Sequence, residues 1–393
     1  REATLAASAL LRSLAAPLPQ ANGEAHGKVD AMVIGIGQLG LCFPLTLEKS
    51  GLSVIGVDTR ADFVRQINDR TFTFKVPGVT EQLQLATKNE ATVDLVYAAS
   101  RCDLIFILVP TPTSGNAERF YDHGQVSNVL AKLNEQRFAE RKTIVINATI
   151  MPGYINTIGK LLLKDCPKTT LSYNPAFVAQ GDIMDGYRTG GWFGMVLIGG
   201  ADQEVAQQLK AIYLKNSGDV PMNVQIMSPE SAEICKLASN CFRTTKISFA
   251  NMVGDIADAT VGANKDDICT ALGADRSIGP LCMRPGYGYG GPCYPRDNQA
   301  FGVYAQSVGV KPTISLATDE YNNFHHDLMA ERMRSSDTPV HIFEDVGYKP
   351  GIKVPMIDYS PKLAVAQRLA KQGERVIIRD RQDLVIAVMK EFV

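Results

Sequence analysis

The chain has 393 residues, of which 45% are hydrophobic and 21% charged, and its formal net charge is −1. This composition is typical of a globular protein with enough chain for two or three domains. The 40 basic and 41 acidic residues lack the positive excess that non-specific nucleic-acid binding requires, and no apolar run is long enough to span a membrane. We therefore expect neither a nucleic-acid nor a membrane partner.

Eight cysteines are scattered along the chain, and none belongs to a Cys-x-x-Cys pair or to a Cys/His spacing that binds zinc. We therefore predict no metal site. Scattered cysteines in a chain of this length predict reduced thiols in a reducing compartment, which favours a cytoplasmic location.

Residues 1–28 differ in composition from the rest, being rich in Ala and Leu. Arg1, Ser8 and Arg12 are typical of a transit peptide, whereas Glu2 and Glu24 are not. We predict a leader or a disordered segment here.

A dinucleotide-binding pattern opens the first predicted domain. A buried strand is predicted at Ala31–Ile34, and a helical pattern extends to about Ser50. Between them lies the loop Gly35-Ile36-Gly37-Gln38-Leu39-Gly40. The first glycine allows a tight turn, the second lets the backbone approach a pyrophosphate, and the third lets helix and strand pack closely. The N-terminus of the helix offers N–H groups to the phosphates. We expect cofactor contacts from Gly35, Gly37, Gln38, Leu39 and Gly40.

The second predicted strand, residues 53–57, ends at Asp58. A carboxylate in this position accepts the ribose hydroxyls and repels a 2′-phosphate, which favours NAD over NADP. Arg60 is a nearby cation that opposes this preference and is itself a candidate cofactor contact.

Two further strands, 104–109 and 143–147, are each followed by a polar turn. Because parallel sheets bind ligands beyond the carboxyl ends of their strands, we expect Pro110, Thr111 and Thr149 to face the cofactor. The alternative is that both threonines are ordinary turn residues.

A single cysteine closes a glycine-rich segment, Gly286-Tyr287-Gly288-Tyr289-Gly290-Gly291-Pro292-Cys293-Tyr294-Pro295-Arg296-Asp297. Glycines let a backbone approach a ligand, and a thiolate is the most nucleophilic of the common catalytic side chains. Cys293 is therefore a candidate nucleophile. The alternative is a simple turn before a helix that has Asp297 as its N-cap and runs to Gln306.

A long helix is predicted over residues 229–261. Lys236 and Asn240 are four positions apart and therefore share one face, which makes them candidates for a partly buried site; the alternative is a surface lysine. The helix is apolar around much of its circumference, which predicts a homodimer or a larger homo-oligomer. A second long helix, 312–334, precedes a strand at 340–343, a helix at 361–372 and a strand at 375–378.

From about Val29 onward the chain resembles the UDP-glucose 6-dehydrogenase / nucleotide-sugar dehydrogenase family. Seven motifs carry the resemblance in the family's order: the Gly35–Gly40 loop, Val109-Pro110-Thr111-Pro112, Ala148-Thr149-Ile150-Met151-Pro152-Gly153, Asn174-Pro175-Ala176-Phe177, Lys236-Leu237-Ala238-Ser239-Asn240, Gly290-Gly291-Pro292-Cys293 with Asp297, and Gly347-Tyr348-Lys349-Pro350. The resemblance implies an α/β fold with two Rossmann-like parallel-sheet domains joined by a long-helix central region. We expect an NAD-binding domain at 29–228, a central helical domain at 229–334 and a short sugar-nucleotide-binding domain at 335–393.

The resemblance also implies a reaction, the double oxidation of a sugar's primary alcohol to a carboxylate with two NAD. Cys293 would hold the aldehyde as a thiohemiacetal and then as a thioester, Lys236 and Asn240 would stabilise the oxyanion, and Asp297 would serve as base. Thr149 is a further candidate at this site. Substrate contacts are expected from Lys236, Asn240, Phe177, Arg284, Tyr287, Gly291, Tyr348 and Lys349.

The chain departs from the family pattern at several of these positions. Ala176 and Gln180 stand where the family usually has Glu, and the Glu at the second position lies near the nicotinamide. Arg296 stands where the family has Lys, and Ser277 stands where the family has an Arg that binds phosphate. UDP-glucose is the usual substrate, with UDP-N-acetylhexosamines and GDP-mannose as alternatives. A sugar-nucleotide-binding relative without activity, or a two-electron hydroxyacid dehydrogenase, remains a competing hypothesis.

Overall fold

The computed structural model describes residues 27–37, 39–116, 119–178, 181–191, 194–200, 202–336 and 338–392. The predicted leader up to residue 26, together with Gln38 and Gln180, lies outside the described residues.

The strands, numbered in chain order, form one large and two small sheets within the described ranges. They are β1 (Ala31–Ile34), β2 (Val54–Val57), β3 (Asn89–Thr92), β4 (Leu104–Ile107), β5 (Thr113–Asn116), β6 (Arg119–Tyr121), β7 (Thr143–Ile146), β8 (Thr170–Tyr173), β9 (Met195–Gly199), β10 (Asn223–Met227), β11 (His341–Phe343) and β12 (Val376–Ile378).

The helices are α1 (Cys42–Lys49), α2 (Ala61–Asn68), α3 (Val79–Leu85), α4 (Leu95–Ser100), α5 (Gly124–Asn134), α6 (Lys160–Leu162), α7 (Ile183–Thr189), α8 (Gln203–Ser217), α9 (Pro229–Asp258), α10 (Lys265–Ala274), α11 (Tyr294–Ser307), α12 (Thr313–Arg334), α13 (Pro361–Lys371) and α14 (Gln382–Phe392). A π-helical turn, Ile155–Gly159, precedes α6. None of the helices in the described ranges is long and apolar enough to cross a membrane.

The large sheet has the strand order β10-β9-β8-β7-β4-β1-β2-β3. Its neighbours are parallel apart from β8 and β9, which run antiparallel. Helices cover both faces, so β1, β2, β4 and β7 are buried at every position, as continuous apolar strands of a parallel sheet should be. The mostly parallel α/β architecture predicted from the sequence is confirmed.

The strand order reverses at β1, which pairs with β2 on one side and β4 on the other. Ligands of open α/β sheets bind in the crevice beyond the carboxyl ends of the strands at such a reversal. The loop after β1 and the loop after β4 flank this crevice.

The central region consists of α9, α11 and α12 packed against one another, followed by a small unit in which β11 and β12 pair in parallel. This unit has its own core, which includes Phe343, Leu363 and Leu369. Its strand–helix–strand order agrees with the sequence prediction, and its sheet is short, as expected.

Candidate active site

The loop after β1 has the shape of a dinucleotide cradle. Gly35 has a φ of +87°, and its N–H donates to the carbonyl oxygen of Val57 over 2.8 Å. A Cβ on Gly40 would lie 1.7 Å from the carbonyl oxygen of Gly35, so no side chain fits between the loop and the helix. The residues present therefore fit a dinucleotide, and the backbone N–H groups at the start of α1 would hold its pyrophosphate.

Asp58 and Arg60, both candidates for the cofactor ribose, bind each other. Arg60 donates from Nε to Oδ1 of Asp58 over 2.9 Å and from Nη2 to Oδ2 over 3.2 Å, and its guanidinium lies 4.1 Å from the ring centroid of Phe63. The hydrogen bond to Asp58 raises the pKa of Arg60. The carboxylate expected to repel a 2′-phosphate is thus already paired with a cation.

The two strand-end loops lie at the same edge of the sheet. The carbonyl oxygen of Thr111 accepts from Nη2 of Arg296 over 2.6 Å, so the loop after β4 is tied to the cysteine segment. Thr149, after β7, is half-buried. The loop that follows it is fixed by Glu233, whose carboxylate accepts from the N–H of Gly153 over 2.6 Å and of Ile155 over 2.9 Å.

Cys293 is the N-cap of α11, which begins at Tyr294. The expectation that Asp297 would be the N-cap is wrong: Pro295 fits the first helical turn, and the N–H of Asp297 already donates to the carbonyl oxygen of Cys293 over 2.8 Å. The helix therefore starts four residues earlier than expected, with the cysteine at its N-terminus.

Cys293 is exposed to solvent as a residue, although protein atoms surround its thiol. Burial raises the pKa of the Cys293 thiol and the Asp297 carboxylate raises it further, while Lys236 and Arg296 lower it. The thiol is accessible to a substrate, and its conversion to a thiolate depends on these nearby cations.

The glycines before Cys293 allow close contact with the C-terminal unit. A Cβ on Gly290 would lie 1.9 Å from the carbonyl oxygen of Tyr359, and one on Gly291 would lie 2.5 Å from the ring of Tyr348. Lys349 is half-buried next to this ring, and burial lowers its pKa. Gly291, Tyr348 and Lys349, three predicted substrate contacts, therefore lie together beside the cysteine.

Lys236, Asn240 and Asp297 meet in a buried cluster. Asn240 donates from Nδ2 to Oδ2 of Asp297 over 2.6 Å, and the Nζ atom of Lys236 lies 3.9 Å from the same oxygen. Lys236 is 6% exposed and its ammonium lies 4.8 Å from the ring centroid of Phe177. The prediction that Lys236 and Asn240 share one face of this helix in a buried place is confirmed, and the surface-lysine alternative is wrong.

Two other predicted substrate residues, Arg284 and Tyr287, lie in different surroundings. Arg284 is exposed on the segment that leads into the glycine-rich loop. The Tyr287 ring packs against the core of the C-terminal unit, with the Nζ atom of Lys362 5.6 Å from its centroid.

Sequence reasoning missed the residues that hold the glycine-rich loop in position. From α12, Asn322 accepts from the N–H of Tyr289 over 2.9 Å, and ring nitrogens of His325 and His326 contact the carbonyl oxygens of Gly286 and Tyr287 at 2.6 and 2.8 Å. The spacing of these polar residues, i, i+3 and i+4 on a long helix, could have predicted that they share one face. The sequence likewise offered no prediction for Tyr121, which donates to Oδ1 of Asp297.

Family models match two parts of the chain. The NAD-binding domain of the UDP-glucose/GDP-mannose dehydrogenase family matches residues 29–216, and the central domain of that family matches residues 230–324. The chain belongs to the UDP-glucose/GDP-mannose dehydrogenase family. It is therefore an oxidoreductase of the NAD-dependent nucleotide-sugar dehydrogenase class, as predicted, and its cofactor is NAD.

Individual relatives agree with this family. The chain is 26% identical to the GDP-mannose 6-dehydrogenase of Pseudomonas aeruginosa over 362 residues, which cover 89% of this chain and 80% of the relative. It is also 26% identical to the UDP-glucose 6-dehydrogenase YwqF of Bacillus subtilis over 368 residues, covering 88% of this chain and 78% of the relative. The fold is similar to that of a UDP-glucose dehydrogenase from Pyrobaculum islandicum, with a TM-score of 0.79, 24% identity, and coverage of 94% of this chain and 85% of that one.

Proposed function

We propose that this family member oxidises the primary alcohol at C6 of a nucleoside-diphosphate hexose, UDP-glucose or a related sugar, to the carboxylate. The net reaction consumes the alcohol, two NAD⁺ and one water, and yields the carboxylate, two NADH and three protons. When bound, NAD accepts one hydride in each of the two oxidations.

Cys293 is the nucleophile in this proposal. After the first oxidation its sulfur adds to the aldehyde carbon, the carbonyl oxygen takes up a proton, and a thiohemiacetal forms. Loss of that hydroxyl proton and of the C–H hydride gives a thioester, and attack by water breaks the C–S bond to release the acid and the thiol. The covalent link retains a reactive aldehyde, and the glycine-rich loop leaves the sulfur accessible.

The cluster around Asp297 supplies charge and proton transfer. The Lys236 ammonium stabilises the negative charge that develops on the substrate oxygen in each tetrahedral state, and Asn240 assists as a hydrogen-bond donor. Asp297 accepts the proton of the attacking water, directly or through Lys236. The observation that carries this proposal is the convergence of Lys236, Asn240 and Asp297 beside a solvent-accessible Cys293.

The test is a panel of UDP-glucose, GDP-mannose and UDP-N-acetylhexosamines with NAD, read by NADH absorbance and by product mass. We expect two NADH for each acid formed from one member of the panel. One NADH for each product would support a two-electron dehydrogenase, and ligand binding without turnover would support a binding protein.

We also propose a homodimer or larger homo-oligomer built on α9. Phe242, Phe249 and Ile256 recur at seven-residue spacing on this helix and are 68%, 48% and 59% exposed. Exposed apolar side chains in one row along a helix favour closed two-fold association. Sedimentation should give at least a dimer at micromolar concentration, and Phe249→Asp should shift it toward monomer; a monomeric wild-type chain would contradict the proposal.

We further propose a role for each domain and a cytoplasmic location for the protein. Residues 29–228 would bind NAD, 229–334 would provide the catalytic loop and the oligomer interface, and 335–393 would contact the sugar nucleotide through Tyr348 and Lys349. The eight cysteines, which all lie in the described ranges, form no disulfide with one another, which is consistent with a reducing, cytoplasmic environment.

A further inference from the structure

A small hairpin connects the cofactor side of the molecule to the catalytic helices. β5 and β6 pair antiparallel, with Thr113 opposite Tyr121, in the connection between β4 and α5. Tyr121 ends the hairpin, is 2% exposed, and packs in one cluster with Leu237 of α9 and Ala300 of α11. The end of the hairpin is therefore wedged between the two helices that carry Lys236 and Asp297.

The hydroxyl of Tyr121 completes the surroundings of the Asp297 carboxylate. Oδ2 of Asp297 accepts from Asn240 and faces Lys236, whereas Oδ1 accepts from Tyr121. Burial, and then the charge of Asp297, hold the pKa of Tyr121 well above its usual value, so the hydroxyl remains a proton donor. Both carboxylate oxygens are thus held by donors from different parts of the chain.

Arg296 fixes the tyrosine ring in turn. Its guanidinium lies 4.8 Å from the ring centroid of Tyr121, while Nη2 donates to the carbonyl oxygen of Thr111 over 2.6 Å and Nε to Oγ1 of Thr113 over 3.2 Å. Thr111 belongs to the loop after β4, at the cofactor edge of the sheet. Arg296 and Tyr121 therefore connect that loop to the buried carboxylate.

We propose that Tyr121 is a positioning residue for the reaction: it orients the Asp297 carboxylate and couples it to the cofactor-side loop. The proposal rests on the base role given to Asp297 above. Hydrogen bonds to a charged group are stronger than those between neutral groups. Loss of the hydroxyl should therefore leave Oδ1 of Asp297 without this donor and allow the carboxylate to rotate away from Lys236.

The test is Tyr121→Phe, which keeps the ring and its contact with Arg296 and removes only the hydroxyl. We expect kcat to fall about tenfold or more while KM changes less than about threefold, because the base is misplaced and the substrate contacts are kept. Phe120→Leu, on the same hairpin and in the same cluster, is the matched control and should keep the wild-type kcat and KM.

A second readout does not require turnover. With ¹³C-carboxyl-labelled aspartate, the Asp297 signal, assigned from an Asp297→Asn variant, should have a different chemical shift in Tyr121→Phe than in the wild type, because one carboxylate oxygen loses its donor. If the wild type oxidises no nucleotide sugar, the proposed function fails, and the chemical shift still tests the role of Tyr121. An unchanged chemical shift together with an unchanged kcat would overturn the inference.

Arg296→Lys serves as the second variant should Tyr121→Phe fold poorly. It keeps the positive charge but loses the forked contacts to Thr111 and Thr113. A smaller fall in kcat than in Tyr121→Phe is expected, and an unchanged kcat would contradict the coupling.

Discussion

The ammonium of Lys236 lies 3.9 Å from the carboxylate of Asp297, and the two side chains are only 7% and 3% exposed. Removing one partner of a buried pair leaves an uncompensated charge, which costs about 3–5 kcal/mol. Lys236→Met should therefore lower the free energy of unfolding by about that amount and, through lost oxyanion stabilisation, lower kcat about 10²–10³-fold. Lys265→Met breaks an exposed pair with Asp258 and should change stability by less than about 1 kcal/mol. Equal effects of the two substitutions in denaturant melts would contradict the buried-pair argument.

Replacing Cys293 by Ser should abolish acid formation while the fold is kept, because a hydroxyl is a far weaker nucleophile than a thiolate. The raised pKa of the Cys293 thiol also predicts slow alkylation at pH 7, with a rate that rises as the pH increases and the thiolate accumulates. Iodoacetamide labelling followed by mass spectrometry, with Cys293→Ser as the blank, measures this. Full acid production by the Ser variant would rule out the covalent route.

Arg60 should weaken the preference for NAD over NADP, because it pairs with the carboxylate that would otherwise repel a 2′-phosphate. We expect the wild type to prefer NAD and Arg60→Ala to widen the ratio of kcat/KM for the two cofactors, as Asp58 then stands without a cation. Arg65→Ala, which breaks an exposed pair with Asp62 on the same helix, is the control and should leave the ratio unchanged. If Arg60→Ala discriminated less between NAD and NADP than the wild type, the guanidinium would not offset the repulsion of a 2′-phosphate by Asp58.

Ala176 stands where the family usually has a Glu linked to water attack on the thioester. If that base is missing, hydrolysis should be slower than oxidation. Rapid mixing should then show a burst of about two NADH for each active site, because both oxidations precede the thioester. Ala176→Glu should then raise the steady rate, since one general base contributes about 10²–10⁴-fold, whereas Ala176→Gln should not. If no burst appears and Ala176→Glu does not raise the steady rate, Asp297 suffices as the base for hydrolysis of the thioester.

Glu233 should make stability depend on pH. Burial raises its pKa from 4.5 to about 7, against the two backbone N–H bonds that lower it. Because the folded pKa lies above the unfolded one, this stabilisation is complete below about pH 4.5 and is lost as the pH rises through 7. Relative to the wild type, Glu233→Gln should therefore gain about 3 kcal/mol between pH 4.5 and pH 8.5 in urea melts.

Glu230→Gln provides the contrast for that experiment. The pKa of Glu230 is lowered by its hydrogen bond from Asn156, so its contribution has the opposite sign and is lost as the pH falls. If the stability of the wild type and of Glu233→Gln changed with pH in parallel, the raised pKa of Glu233 would be contradicted.

The amino-acid sequence determined those features that depend on short spacings. The apolar runs and the Gly35–Gly40 loop specified a strand, a turn and a helix, because hydrophobic period and glycine placement act over a few residues. The four-residue spacing of Lys236 and Asn240 placed them on one helix face for the same reason.

Tertiary structure alone decided which of these features meet. Tyr121 and Asp297 are 176 positions apart, and no local pattern links a tyrosine at the end of a hairpin to a carboxylate in a distant helix. The pairing of Asp58 with Arg60 likewise depended on a side-chain conformation, which spacing does not specify. Contacts of this kind arise when whole elements pack and bury their polar groups together, because each buried donor or acceptor must then find a partner within hydrogen-bond distance.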